Sequence, residues 1–351
     1  MINLKKIFSY AAFELNKKQK NPLFFESQKK LSIHHYKNCP EYKKICKNLF
    51  KKIETCNSLE ELPFVHVNIF KNINLKSTTI DKLSKTLHSS GTSGNSKSKI
   101  NVDRYTSLLQ SRALLNIFSS VIKKKCTFFF ITDNIGKDLE TISASTAAVR
   151  GFSQMSKKNY FIFKNNKLNY SKLINFVKKN PKEEFVIFGF TSNIWMDLLE
   201  NLNKKKLKIP KNRGILIHGG GWKKLENISI SKKEFNKKSK NILGISNVYN
   251  YYGMVEQTGS IFLECEENYF HCSLYSDILI RDENLSIAKK KEVGLLQTLS
   301  LIQSSYPGHN ILTEDLGRIE GVDNCKCGRK GKYFSFIGRV PGTEKRGCSD
   351  A

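Results

Sequence analysis

Between residues 103 and 217 the apolar positions switch repeatedly between two spacings. In DRYTSLLQSRALLNIFSSVI they recur every three or four residues, which predicts a helix that Asp103 can N-cap. The run CTFFFIT that follows is short and continuously apolar, as in a buried strand. The alternation continues with a small-residue helix over 139–149, a strand over 160–163, helix SKLINFVKK and strand EFVIFGF. Helix NIWMDLLENL, capped by Thr191 or Ser192, and strand GILIHGG close the series. Such alternation predicts a parallel sheet with covering helices. In an open sheet of this kind ligands collect beyond the carboxyl ends of the strands, and HGGGW, residues 218–222, falls at one such end.

After Gly244 helical periodicity disappears. SNVYNYYG, GSIFLEC, SDILIRD, GLLQTLSLI and YFSFIG read as short strands separated by turn residues, a second and mainly β part packed against the first as a small sheet or barrel. Residues 1–80 are polar, Lys-rich and mostly helical in pattern, with Pro22, Pro40 and Pro63 as breakers and LPFVHVNIF, 62–70, extended. The start, MINLKKIFSYAAFELNKKQK, is too briefly apolar for a signal peptide and is interrupted by Glu14; it reads as an amphipathic docking helix, with a peripheral membrane contact as the second option. No segment reaches the ~18 apolar residues of a transmembrane span. The resulting division is 1–80, a core over 81–338 (α/β to 245, mainly β from 246), and a hinge and tail over 339–351.

Composition adds one strong bias. The 351 residues carry 59 Lys+Arg against 31 Asp+Glu, a formal net charge of +28, with 39% hydrophobic residues. That excess suits polyanions or an anionic membrane. Only nine of the basic residues are Arg and no arginine cluster stands out, so a lysine-coated surface without a specific nucleic-acid partner is expected. Nine cysteines scattered without a compact framework imply the reducing cytoplasm.

Candidate chemistry begins at LHSSGTSGNSKSK, residues 87–99. Ser89, Ser90, Gly91, Thr92, Ser93 and Gly94 can supply hydroxyls and close backbone N–H groups to an anion, with Lys97 balancing phosphate charge. The P-loop pattern GxxxxGK[ST] is absent. On composition alone the run is also a flexible linker; a core helix and strand directly behind it argue otherwise. HGGGW is either a tight strand-to-helix turn or a flat glycine surface for a purine. YYGMVEQTG, TEDLGR and IGRVPG add Tyr252, Gly253, Glu256, Asp315 and Arg339.

Ser89 to Lys97, SSGTSGNSK, resembles the phosphate-binding signature of the adenylate-forming enzymes. The resemblance implies that Gly219, Gly220 and Gly221 line an adenine pocket and that Tyr252 and Gly253 contact adenine. It further implies that Glu256 helps hold Mg2+, a hard cation that takes oxygen ligands, that Asp315 binds the ribose hydroxyls, and that Arg339 marks an interdomain hinge. YGMVEQTGSIFLECEENYFHCSLYSDILIRD, SYPGHNILTEDLG, CKCGRKGKYF, GRVP and RGCSD together look like the acyl-protein synthetase (LuxE-type) branch, related to phenylacetate–CoA ligase, over residues 85–350. Members activate a fatty acid with ATP as acyl-adenylate, pass the acyl group to a cysteine of the enzyme, and hand it to an acyl reductase.

For this chain the resemblance implies an adenylate-forming fold acting on a carboxylic acid, with ATP and Mg2+ as cofactors and an acyl reductase or acyl carrier as partner. The chain ends twelve residues past Arg339, so the mobile C-terminal domain of acyl-CoA synthetases, with its catalytic lysine, is expected to be absent. Cys348, flanked by Lys345, Arg346 and Gly347, is the candidate acyl acceptor, since nearby positive charge favours the thiolate; the competing role is a fixed turn closing the nucleotide pocket. Cys265, His271, Cys325 and Cys327, spaced C-x5-H and then C-x-C, are candidate ligands of one structural Zn2+, with Cys272 and His309 as substitutes; ordinary buried cysteines are the alternative. Two other functional classes remain open: a CoA or carrier-protein ligase, and a non-catalytic basic nucleic-acid-binding or scaffold protein on the same fold.

Overall fold

A computed structural model describes residues 4–89, 97–132, 141–164, 167–222 and 230–343. Its frame is one twelve-stranded sheet, numbered here in chain order: β1 Val65–His66, β2 Thr127–Phe130, β3 Lys158–Phe161, β4 Glu184–Phe190, β5 Arg213–Gly219, β6 Asn247–Tyr252, β7 Phe262–Glu264, β8 Phe270–His271, β9 Ser276–Arg281, β10 Gly294–Ser300, β11 Asn310–Val322 and β12 Lys332–Arg339. Across the sheet the order is β9-β10-β11-β12-β8-β7-β6-β5-β4-β2-β3, with β1 on β11. From β3 to β6 neighbours run parallel; from β6 to β9 they run antiparallel.

The parallel strands are apolar throughout because both faces are covered. Phe128 and Phe130 join the core beneath helices Arg104–Phe118 and Ala144–Ser153, while Phe129 and Ile131 join the core beneath Ser171–Lys179 and Lys232–Leu243. The same alternation sends Phe188 one way and Ile187 the other. Caps mark where helices begin: Asp103 accepts from the Thr106 N–H at 2.7 Å, as expected, and Ser231 from the Glu234 N–H at 3.2 Å. Helix Lys232–Leu243 stops at Gly244, which adopts φ 67° where a Cβ would lie 2.2 Å from the Pro210 carbonyl oxygen.

Several sequence expectations need correcting. Thr191 does not cap the following helix; Phe190 takes that position without a side-chain bond, and Thr191 turns back to the sheet. That helix is π-wound over Ile194–Glu200. Pro22 breaks nothing, lying inside the 22-residue helix Lys17–Asn38, whereas Pro40 starts the next helix, where its missing N–H costs no bond. The extended segment over 62–70 shrinks to β1, and helix Ile69–Asn72 follows directly. TEDLGR, not among the expected strands, lies inside the thirteen-residue β11. The mainly β part continues the parallel strands edge to edge, so the two halves form one sheet.

The N-terminal region packs into the same core. Leu4, Ile7, Ala12 and Phe13 are buried, and Lys20 reaches Asp277 at 3.3 Å inside the protein. Among the described residues no helix is long and apolar enough to cross a membrane.

Helix Lys17–Asn38 is also held by histidines. His35 lies against His309 with ring centroids 4.7 Å apart, bonding Ser77 Oγ at 2.8 Å and the Gln303 carbonyl at 3.1 Å. His309 bonds Ser32 Oγ at 2.9 Å. Burial, followed by the charges of His309 and His34, holds the His35 pKa well below its ordinary 6.5. Burial followed by the charge of His34 brings His309 to about 3.

Above pH 6.5 these rings are neutral in folded and unfolded chains alike. Below it the unfolded chain takes up protons that the folded one refuses, so stability falls as pH drops from 6.5 towards about 3. Chemical denaturation at pH 7 and pH 5 should show a loss of up to about 1.4 kcal/mol per pH unit for each histidine. His309→Asn should remove one histidine's share. Equal slopes for wild type and variant would contradict the assignment.

Candidate functional site

The carboxyl ends of β4, β5 and β6 meet at one edge of the parallel region. β5 ends in His218 and Gly219 and is followed by Gly220 and Gly221 at φ 83° and 72°, a left-handed turn that favours glycine. Thr191, just past β4, fixes this end: its hydroxyl donates to the Gly219 carbonyl at 3.0 Å, leaving its oxygen to accept from His218 Nδ1 at 2.9 Å. Burial, then the charge of Lys232, lowers His218 to about 3, which keeps the ring neutral.

Beside it, β6 delivers Tyr251 and Tyr252 on opposite faces. The Tyr252 hydroxyl donates to Asp315 Oδ2 at 2.6 Å. Asp315, in β11, sits directly opposite Arg339 of β12, and its Oδ1 lies 3.3 Å from Arg339 Nε. Arg339 also donates to Glu314 at 3.1 Å, and Glu314 accepts from Asn68 of the N-terminal region. Burial, then the negative charge of Asp315 and the hydrogen bond to it, raises the Tyr252 pKa well above 10, so the phenol remains a neutral donor.

Glu256 lies in the short turn Val255–Gln257 that follows, and it is buried rather than solvated. Tyr306 donates to its backbone carbonyl at 2.9 Å, while Gln257 bonds the carbonyls of Thr298 and Gly308 at 3.0 and 2.9 Å, so the turn is pinned to the antiparallel half.

A cavity of about 400 Å³ opens at the same edge. Tyr251, Gly253 and Met254 form one wall, Gln110 and Leu114 of helix Arg104–Phe118 another, and Ala147, Ala148 and Gly151 a third. Two cations, Lys85 and Arg150, also line it. Burial, then the charge of Arg150, holds Lys85 below its ordinary pKa, and a bound anion would relieve both effects.

Ser89 and Lys97 stand at the base of a hairpin in a separate three-stranded sheet of Leu83–His88, Lys99–Asp103 and Thr141–Ser143. The Ser89 N–H donates to the Ser98 carbonyl at 3.2 Å, the Ser98 N–H donates to Ser89 Oγ at 2.9 Å, and Lys97 is exposed. Ser90, Gly91, Thr92, Ser93, Gly94 and Cys348 lie outside the described residues.

Cys265, His271, Cys325 and Cys327 come together as the spacing suggested. Their ligand atoms all lie within 4.8 Å of one another. Cys265 Sγ and Cys325 Sγ are 3.8 Å apart, and Cys327 Sγ is 3.4 Å from His271 Nε2. A tetrahedral ion with bonds of about 2.3 Å to sulfur and 2.0–2.1 Å to nitrogen has edges of about 3.8 and 3.6 Å, so the donor set fits such an ion. Cys272 and His309 are not members: Cys272 sits beside Asp277, Lys20 and Lys332, and His309 belongs to the histidine pair.

Asn68, Glu314, Lys85 and Arg150 were not foreseen. No strand is expected at TEDLGR, so nothing places Glu314 opposite β12, and no local pattern links Asn68 to a residue 246 positions away.

A family model described as acyl-protein synthetase, LuxE, matches residues 3–351. The chain is 24% identical over 317 residues to the long-chain-fatty-acid–luciferin-component ligase of Aliivibrio fischeri, covering 85% of this chain and 82% of that protein. Among solved structures, 2-hydroxyisobutyryl-CoA ligase in an open conformation with 2-HIB-AMP and CoA superposes with a TM-score of 0.73 at 13% identity, over 93% of this chain and 76% of that one. ATP-bound MatB from Rhodopseudomonas palustris gives 0.50 at 13% identity, over 75% and 49%. At these identities the two structures share the fold with this chain.

Tyr252→Phe would leave Asp315 one hydrogen bond short while preserving ring packing. The expected cost is about 1–3 kcal/mol in urea denaturation, with cooperative unfolding retained. A change below about 0.5 kcal/mol would show that water replaces the hydroxyl without penalty.

Proposed function

The chain belongs to the acyl-protein synthetase family, and on that premise we propose that it activates a carboxylic acid, most simply a long-chain fatty acid, with ATP and transfers the acyl group to a thiol. The observation that carries this reading is the joint position of Tyr252, Asp315 and Arg339 with the glycine turn and a largely apolar cavity at one sheet edge.

In this proposal Asp315 accepts from the ribose hydroxyls, held in place by Tyr252 and Arg339, and the turn at Gly219, Gly220 and Gly221 borders the adenine with Tyr252 and Gly253. The acid lies in the cavity, its carboxylate drawn towards Lys85 and Arg150. A carboxylate oxygen attacks the α-phosphorus, the bond from that phosphorus to the bridging oxygen breaks, and pyrophosphate leaves. Lys97 and the hydroxyls from Ser89 to Ser93 offset charge on the departing phosphates, which is where electrostatic stabilisation acts. Glu256 is the carboxylate that would hold Mg2+, which when bound would offset negative charge on the phosphates. The Cys348 thiolate then attacks the acyl carbon, forming a thioester and releasing AMP, and an acyl reductase or carrier takes the acyl group onward. The eight described cysteines are all free, which supports a reducing, cytoplasmic setting.

ATP–pyrophosphate exchange across a panel of carboxylic acids tests the first step. Exchange should favour long chains and fall by about a hundredfold or more in Lys97→Ala and Asp315→Ala. Unchanged exchange in both variants would place the site elsewhere, and none with any acid would favour the scaffold reading. With labelled acid, Cys348→Ser should still form acyl-adenylate but lose hydroxylamine-labile label on the protein. Equal labelling would remove Cys348 as acceptor.

The edges of the Cys265, His271, Cys325 and Cys327 tetrahedron favour one structural Zn2+ as part of this reading. Protein purified without chelator should contain close to one zinc per chain by elemental analysis. Cys325→Ser together with Cys327→Ser should lower the content to near zero; a metal-free, fully folded wild type would exclude the site.

A further inference from the structure

Helix Arg104–Phe118 walls the cavity on its inner side and carries an unusual outer side. Tyr105, Leu108 and Leu115 have 46%, 55% and 39% of their surface exposed. Steps of three and seven residues keep them on one stripe of the helix. Single exposed apolar residues are ordinary, whereas an aliphatic stripe on one helix is a candidate contact surface.

The charge along this segment is mostly positive, with Asp103 engaged as the helix cap and Glu183 and Glu184 near its far end at Cys126. Residues 104–126 contain Arg104, Arg112, Lys123, Lys124 and Lys125, all exposed, and no acidic residue. The residues just after the N-terminal turn Leu4–Ile7 pack against this helix: the Arg112 guanidinium sits 4.6 Å from the Phe8 ring centroid, and Asn116 donates to the Tyr10 carbonyl at 3.0 Å. That turn adds exposed Lys5 and Lys6. Glu14, the acid that follows it, accepts from the Ala11 N–H at 2.8 Å.

We propose that this face docks on an anionic lipid bilayer and thereby brings the cavity to an acid dissolved in the membrane. Exposed aliphatic side chains on a segment rich in exposed cations match a surface that is apolar below its headgroups and negative at them. Nucleic acid would meet the cations but leave the leucines in water. Ser111 connects the two sides of the helix: it lies one turn from both Leu108 and Leu115 and lines the cavity. The docking rests on the acid-activation reading only for what is collected; the contact itself requires no catalysis.

The test is sedimentation of the full chain with vesicles of mixed phosphatidylcholine and phosphatidylglycerol, and with phosphatidylcholine alone. Wild type should bind the mixed vesicles and not the neutral ones, and should release at about 0.5 M salt. Leu108→Glu with Leu115→Glu changes only exposed positions, and it should weaken binding about tenfold or more while circular dichroism remains unchanged. Lys123→Glu with Lys124→Glu should act in the same direction. Failure of wild type to bind mixed vesicles overturns the proposal, as does equal binding by the leucine variant, which would leave only a generic basic surface. Pyrophosphate exchange on a short, water-soluble acid, measured in parallel, should be unaffected by the leucine changes. Exchange without vesicle binding would sink the docking alone, and vesicle binding without exchange would sink the function alone.

Discussion

The site depends on a register. β6 could have been the edge of a parallel sheet, but its last two residues, Tyr251 and Tyr252, pair antiparallel with Leu263 and Phe262 and extend the sheet into its second half. Six strands later in chain order, β12 sets Arg339 opposite Asp315. The Tyr252 phenol spans from the first pairing to the second at 2.6 Å. Side chains alternate faces along a strand, so a one-residue slip in either pairing would turn Tyr252 or Asp315 to the wrong side. The triad is therefore a product of sheet continuity, and elements far from it contribute by holding the strands in phase.

The N-terminal region is one such element. Asp277 is 1% exposed in its side chain and lies between Lys20 at 3.3 Å and Lys332 at 2.9 Å. Burial alone would raise this carboxyl, yet the two ammonium groups hold it at about 2. Removing one member of a buried charge group leaves the others uncompensated, at a cost of about 3–5 kcal/mol. Lys20 comes from helix Lys17–Asn38, Asp277 from β9 and Lys332 from β12, so the arrangement ties the helix to the strand that ends in Arg339. Asn68 adds a second tie through Glu314. A protein with net charge +28 thus places one of its few acids where it organises two of its many lysines.

How much of this could be read from the sequence follows from how local each signal is. The α/β series was legible because each strand is an apolar run and each helix a 3.6-residue pattern, and Asp103 announced its cap in one residue. Cys265, His271, Cys325 and Cys327 were legible from residue chemistry before their spacing could be tested in space. Thr191 misled because a hydroxyl before a helix is usually a cap, and here a sheet carbonyl competed for it successfully. TEDLGR shows no strand pattern because polar and glycine residues interrupt the alternation; β11 tolerates them where its Asp315 and Glu314 pair with Arg339 on β12. Asn68, Lys85 and Arg150 carried no local signal, since their roles exist only through contacts far away in sequence.

Gly219 links the two halves of the chemistry. A Cβ there would come within 2.6 Å of the Tyr251 ring, so glycine is needed at this position for close approach, while Gly220 and Gly221 make the turn that follows. That ring is also a wall of the 400 Å³ cavity. The backbone that makes the turn and the ring that bounds the cavity are therefore in direct contact, and neither can shift without the other. On the same strand end, Tyr252 points to the opposite face and holds Asp315. Two consecutive tyrosines, separated only by the alternation of a strand, place a carboxylate-centred polar site and an apolar cavity on either side of one peptide unit. The proposed joining of a nucleotide to an apolar acid would use that juxtaposition, which follows from strand geometry at a single position in the sheet.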